Sequence, residues 1–402
     1  MTNDKNVSFL RHRSWLGMAM LLGTTAAYAE GNITPHALVR YEYDSDLLLV
    51  PDTPPLPLDG SGQPRIEDSF MDYSGGIDGE YRWHENRYYL TTNYSHFVYQ
   101  HFTQLNHNEF AGTTGLDWTA TYKVKGNFGA SYNRHQLSFV DVNITDPNLS
   151  YIETTQGTQA SVTYDMNSHW RVEGGASYST AKLPDAGKQS YDMNQTEGNA
   201  GVKYIGSANL TTGFSVDRES GHYKDSTQPG FTQTVYQYTV DYKVGARTSV
   251  SGALGYTKRV QTGFDVPTTT GSFIFNQQLT PKTSYYLQFH RVLNTYNTTS
   301  GSQLTTSGVA GINWQATPKI SVSASYEHGK AKVTGNIDVN NTQVNTPRND
   351  KLDAADFSIK YAALRWLTIT PYYRYQKRDS QLNTFNFKNN TYGINFEARF
   401  QP

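Results

Sequence analysis

From Thr34 to Phe400 apolar and polar residues alternate in stretch after stretch, broken by clusters of turn-forming residues. In "VSASYEH", Val322, Ala324 and Tyr326 share one face, and Ser323, Ser325 and Glu327 share the other. "QYTVDYKV" sets Tyr238, Val240, Tyr242 and Val244 against Gln237, Thr239, Asp241 and Lys243. This period of two is that of a strand whose successive side chains point to opposite sides, and no helical spacing is sustained beyond residue 30. The pattern predicts an all-β protein. Eighteen strands are expected, over 34–45, 69–83, 87–102, 109–123, 126–139, 154–166, 170–183, 193–206, 208–221, 231–244, 248–261, 268–280, 283–296, 303–316, 320–329, 352–366, 367–379 and 387–400, or sixteen if the first pair is misread.

The connections alternate in length. Tight ones fall at 84–86, 167–169, 245–247, 281–283 and 317–319, and longer polar links at 46–67, 140–153, 184–191, 223–230, 262–268, 296–302 and 330–351. Short turns at one end and long loops at the other are the habit of bacterial outer-membrane barrels, which have an even strand number. Closure has a physical cause. Lipid offers no hydrogen-bond partners, so a membrane-spanning sheet must pair its own edges. The expected fold is a transmembrane antiparallel outer-membrane β-barrel with short periplasmic turns. Trp83, Trp118, Trp170, Trp314 and Trp366 all lie beside tight turns and suit an interfacial girdle on the periplasmic side.

Composition refines this picture. Lys5, Arg11 and Arg13, an apolar run from Trp15 to Gly23, and Ala27-Tyr28-Ala29 give residues 1–29 the form of a cleaved signal peptide, leaving 30–402 as a single barrel domain. Aromatic residues make up 13% and charged residues 17% of the chain, too rich in the first and too poor in the second for disorder. The absence of Cys excludes disulfides and thiolate metal sites, and a net charge of −1 gives no case for nucleic acid.

A search for chemistry finds no HExxH, GxSxG or Walker pattern. His96, His101, His107 and Glu109 are the densest candidate group, but their spacing puts them on no common strand face. No catalytic residue, metal site or cofactor is expected. If the aromatic register meets lipid, the opposite register lines the lumen with Arg87, Asn133, Gln288, Tyr372 and Arg374 among others. Lys123, Lys203, Lys243 and Lys360 precede short turns; the two readings are ordinary rim lysines that serve solubility and a basic ring near the periplasmic mouth, attractive to anions. In the last strand, Tyr392, Ile394, Phe396 and Phe400 present an apolar face ending in an aromatic, which resembles the C-terminal signal read by the barrel-assembly machinery. Gln401 and Pro402 displace Phe400 from the terminus.

"YDSDLLLVPD" (43–52) and the stretch 85–141, from "ENRYYLTTNYSHFVYQHF" to "NRHQLSFVD", resemble the EpsL-like outer-membrane barrels of exopolysaccharide gene clusters. The resemblance implies an exit channel for a secreted polysaccharide, working with a periplasmic polysaccharide export protein and an inner-membrane co-polymerase, and it supplies no catalytic residues. A general or sugar-selective uptake porin, an outer-membrane hydrolase and an adhesin-like barrel are the alternatives.

Overall fold

The structure, a computed structural model, describes residues 30–51, 56–139, 151–183, 192–225, 228–261, 264–296, 301–334, 337–339, 342–344 and 347–400. The proposed signal peptide and Gln401-Pro402 lie outside the described residues. The strands are β1 (Glu30–Asp44), β2 (Asp68–Trp83), β3 (Asn86–Tyr99), β4 (His107–Thr121), β5 (Val124–Gln136), β6 (Ile152–Asp165) and β7 (Trp170–Lys182). They continue as β8 (Met193–Ser207), β9 (Leu210–Tyr223), β10 (Phe231–Val244), β11 (Thr248–Gln261), β12 (Phe264–Thr280), β13 (Thr283–Tyr296), β14 (Gly301–Thr317) and β15 (Ile320–Thr334). A small hairpin of β16 (Ile337–Val339) and β17 (Thr342–Val344) follows, then β18 (Arg348–Ala362), β19 (Leu367–Ser380) and β20 (Phe387–Arg399).

All strands except β16 and β17 join one 18-stranded antiparallel sheet in which each strand pairs with its sequence neighbours. The sheet closes where β1 meets β20, from His36↔Arg399 to Asp44↔Thr391. The fold is therefore a closed all-β barrel, as the alternation predicts. Two expectations shift. The link at 262–268 is mostly strand, because β12 begins at Phe264 and Pro267 pairs opposite Lys258. The long link at 330–351 shrinks, because β15 runs to Thr334 and the β16–β17 hairpin occupies its middle.

The tight turns have a recurrent chemistry. In Thr121-Tyr122-Lys123, Thr280-Pro281-Lys282 and Thr317-Pro318-Lys319 the threonine hydroxyl accepts the backbone N–H of the lysine, at 3.3, 3.2 and 3.2 Å. Each such threonine sits at a register shift that ends its ladder. A hydroxyl that satisfies the turn amide lets the chain reverse in two residues.

Bulky apolar residues lie outward and exposed, among them Tyr88, Leu90, Phe128, Val172, Phe214, Tyr238, Leu254, Phe273, Phe289, Ile312, Phe357 and Phe396. In a soluble protein such a surface would aggregate. Here it forms the continuous apolar outer wall that a bilayer requires. Trp83, Trp170, Trp314 and Trp366 are exposed at the short-turn end, and Trp118 stacks on Phe128 there. The packed interior is confined to the long-loop end. There Leu47, Leu48 and Leu49 of the first outer link turn inside the wall onto Phe70, Phe97, Tyr99 and Phe387, joined by Phe102, Leu105, Leu137, Phe139, Tyr151 and Leu183.

Candidate functional site

The candidate site is the inner wall of the barrel. The register places Arg87, Asn133, Gln288, Tyr372 and Arg374 on inward positions, together with Thr91, Asn93, Ser131, Ser177 and Ser323. They do not converge on one point, and most are tied to neighbours. Arg87 Nε donates to Asp117 Oδ2 at 2.8 Å, and Arg374 Nε to Asp356 Oδ1 at 2.6 Å. The Asn133 amide lies 3.1 Å from His135 Nδ1, and Gln288 lies 3.4 Å from His290.

Three inward tyrosines share one construction. Tyr89, Tyr286 and Tyr372 stand directly across from Gly115, Gly311 and Gly393, and a Cβ on any of these glycines would fall within the tyrosine ring. Each ring therefore lies over the neighbouring strand, and those of Tyr89 and Tyr372 reach beyond it. Asn127 Nδ2, on β5, donates to Tyr89 Oη at 3.3 Å. The Tyr372 hydroxyl crosses β20 and donates to Glu42 of β1. On either side, Arg40 pairs with Asp72 at 2.9 Å and Arg374 with Asp356. This chain of polar side chains covers the seam where the barrel closes.

The four lysines read as rim residues or as a basic ring occupy different settings. Lys123 lies in the tight turn, its ammonium over the Tyr122 ring at 5.6 Å. Lys203 Nζ is 2.7 Å from Glu173 Oε2. Lys243 and Lys360 are inward and exposed near the same end of the barrel.

At the outer end four inward arginines are covered by aromatic rings. The guanidinium carbon of Arg259 lies 3.5 Å from the centre of the Phe231 ring, and that of Arg348 lies 4.0 Å from Phe385. Arg378 lies 4.8 Å from Phe387, and Arg40 lies 5.3 Å from Phe70. A cation against an aromatic face is attracted by the ring quadrupole, which holds these guanidinium groups against the wall. These arginines escaped the sequence reading. The signal was present in the phase, since Phe70, Phe97, Tyr99, Phe231 and Phe387 stand in the polar register of their strands. On the inward positions of the described strands carboxylates outnumber cations, with Asp78, Glu80, Glu173, Glu197, Asp217, Glu219, Asp241, Glu327 and Glu397 among them. The wall is rich in acid: Asp78, Glu80, Glu173 and Glu397 are ion-paired, while Glu197, Asp217, Glu219, Asp241 and Glu327 have no ion-pair partner within 4 Å among the described residues.

Among the described residues no group of three or more His, Asp and Glu side chains is placed to hold a metal ion. His101 bonds Asp68 at 2.9 Å, His107 bonds Glu109 at 3.0 Å, and His96 faces Asn108 across the outer wall at 2.6 Å. A groove of about 680 Å³ lined by Tyr88, Leu116, Phe128, Ala160 and Tyr178 opens outward to the lipid side, away from the lumen.

A closed barrel with an apolar outer wall, a tryptophan girdle and a polar inner wall defines an outer-membrane protein of the porin fold. No family model and no curated protein matches the sequence. Among solved structures, the outer membrane protein OpdK of Pseudomonas aeruginosa is similar, with 11% identity and a TM-score of 0.51 over 93% of this chain and 99% of that one. A BenF-like porin from Pseudomonas fluorescens Pf-5 gives 11% and 0.52, again over 93% and 99%. OpdK with vanillate gives 11% and 0.50 over 92% and 99%. At such identities the likeness is one of fold.

These findings correct the EpsL-like resemblance, which no family model supports. The residues that carried it have structural work at the outer mouth. Asp44 accepts hydrogen bonds from Asn389 and Thr391 across the seam, Asp46 caps Val50 N–H at 3.1 Å, and Leu47, Leu48 and Leu49 fill the apolar cluster. With the resemblance goes the ground for the periplasmic and inner-membrane export partners.

Proposed function

We propose that this barrel is a passive uptake channel for small hydrophilic solutes, favouring neutral and cationic ones over anions. The observation that carries the reading is the excess of carboxylates on the inner wall, set against arginines held under aromatic rings. Fixed charges of one sign in a narrow water-filled passage raise the local concentration of the opposite ion. The apolar cluster at the outer mouth, with Leu48 wholly buried, narrows the passage from one side and suits solutes far smaller than a polymer chain. OpdK, of like fold, has been solved with vanillate, an aromatic carboxylate; the acidic wall here argues against such a ligand.

The test is the reversal potential of the full-length protein in a planar bilayer under a potassium chloride gradient. The expected sign is that of cation preference. Anion preference, or no conductance in the purified folded protein, would overturn the proposal.

A further inference from the structure

Charge is sorted by side of the wall as well as by sign. On the outward positions of the barrel strands the only described carboxylates are Asp265, Asp353 and Asp379, while lysines and arginines recur at one height around the long-loop end. They cluster on four adjacent strands, as Lys330 and Lys332 on β15, Lys351 on β18, Lys377 on β19 and Lys388 on β20.

Two features of this cluster point to a ligand. First, Lys330 stands directly opposite Lys351, and Lys377 directly opposite Lys388. Like charges in register on one face oppose strand pairing unless an anion lies between them. The register also sets Asp379 opposite Lys351 and Asp353 opposite Lys377, with Asp379 2.7 Å from Lys377 and Asp353 2.8 Å from His328, so two carboxylates face five lysines. Lys330, Lys332, Lys351 and Lys388 are exposed, and among the described residues none has an ion-pair partner. Second, the height is that of a headgroup. From Leu367, beside Trp366 of the girdle, to Lys377 the strand climbs about 25 Å along the barrel axis, given a rise of about 3.3 Å per residue and a tilt of about 40°. That matches the apolar band of an outer-membrane barrel, roughly 25 Å tall. Tyr326, Tyr375 and Tyr392 lie on the outward register just below the lysines, where aromatic rings mark the outer interface.

We propose that the outward face of β15, β18, β19 and β20 is a binding site for the phosphorylated headgroup of an outer-leaflet glycolipid. The lysine pairs would clasp its phosphates while its acyl chains lie along the apolar wall below. A phosphate set between two opposed ammonium groups offsets their repulsion and anchors the barrel at a fixed depth.

The experiment uses full-length protein in detergent, titrated with diphosphorylated lipid A and, separately, with the same lipid stripped of phosphate. Bound lipid is counted by native mass spectrometry. Diphosphorylated lipid should bind on the order of a hundredfold more tightly than dephosphorylated lipid, and added salt should erode the difference. A variant carrying Lys330→Gln, Lys332→Gln, Lys351→Gln and Lys388→Gln should lose that preference while keeping its channel conductance. Neutralising the isolated outward residues Lys182, Arg218 and Lys258 should leave the preference intact. Equal binding of the two lipids by the unaltered protein overturns the proposal whether or not the fourfold variant folds, and so does an unchanged preference in that variant once folded.

Discussion

At the level of single residues, the three tyrosine–glycine pairs are the most exacting feature of the inner wall. Gly393 is required because Tyr372 occupies the space a Cβ would take. Gly393→Ala should destabilise the barrel by about 1–3 kcal/mol, the usual cost of forcing extra volume into a packed contact. Tyr372→Ala should also destabilise, through loss of the ring and of the bond to Glu42. The double variant should cost less than the sum of the two singles, by at least about 0.5 kcal/mol, because removing the ring relieves the added methyl. Denaturant midpoints of barrels folded into lipid vesicles measure this; strict additivity would reject the packing account. The glycines were visible in the sequence only as weak points in strands. Their purpose needs the register, which pairs each with a tyrosine some twenty or more positions away.

At the level of elements, strand existence was legible because a bilayer enforces alternation along the whole length of each strand. Strand ends were less so. β12 and β15 run beyond the apolar band, where the outward residues are Asp265 and Pro267 on the first and Lys330 and Lys332 on the second, and the alternation no longer shows as apolar against polar. The inner apolar cluster was hidden for the opposite reason. Phe70, Phe97, Tyr99 and Phe387 break the polar register at one end of each strand, and a reading by dominant phase passes over them. The segment Leu47–Leu49 read as part of the polar outer link 46–67 and instead folds inward as an apolar plug against the wall. Leu48→Ala should cost about 2–5 kcal/mol, the range for a buried leucine. Replacing Leu47, Leu48 and Leu49 together by serine should raise single-channel conductance, as the inward segment loses its apolar anchorage. Unchanged conductance in a folded triple variant would show that this segment does not narrow the passage. Of the four lysines grouped in the sequence, Lys123 alone departs from an inward strand position, since it belongs with Lys282 and Lys319 to a turn motif.

For the whole molecule, a net charge of −1 conceals a barrel with acid inside and base outside at its outer end. No composition argument finds that separation, because it depends on which way each of the odd and even positions points. Cation preference should therefore weaken as pH falls. Protonation removes the carboxylate charge, so the reversal potential should shrink toward zero as the solution is made acid. A reversal potential that holds its size at pH 3 would assign the preference to dipoles rather than to carboxylates. The fold was readable at this scale; the solute was not, because a polar lumen suits sugars, ions and amino acids alike until its charges are paired off in space.

The seam has a consequence in time. The Tyr372–Glu42 bond joins residues 330 apart in sequence, and the Asp44–Thr391 bond joins residues 347 apart. Neither can form until every intervening hairpin has been laid down and the sheet has curled to bring its two edges together. These bonds thus report completion. A chain that closed before its last hairpin was laid down would present Glu42 to β18, with neither Tyr372 nor Gly393 in place. Weakening the seam should leave hairpin formation at its normal pace and lengthen only the last step, so that an open sheet of full secondary structure outlives its usual lifetime before closing.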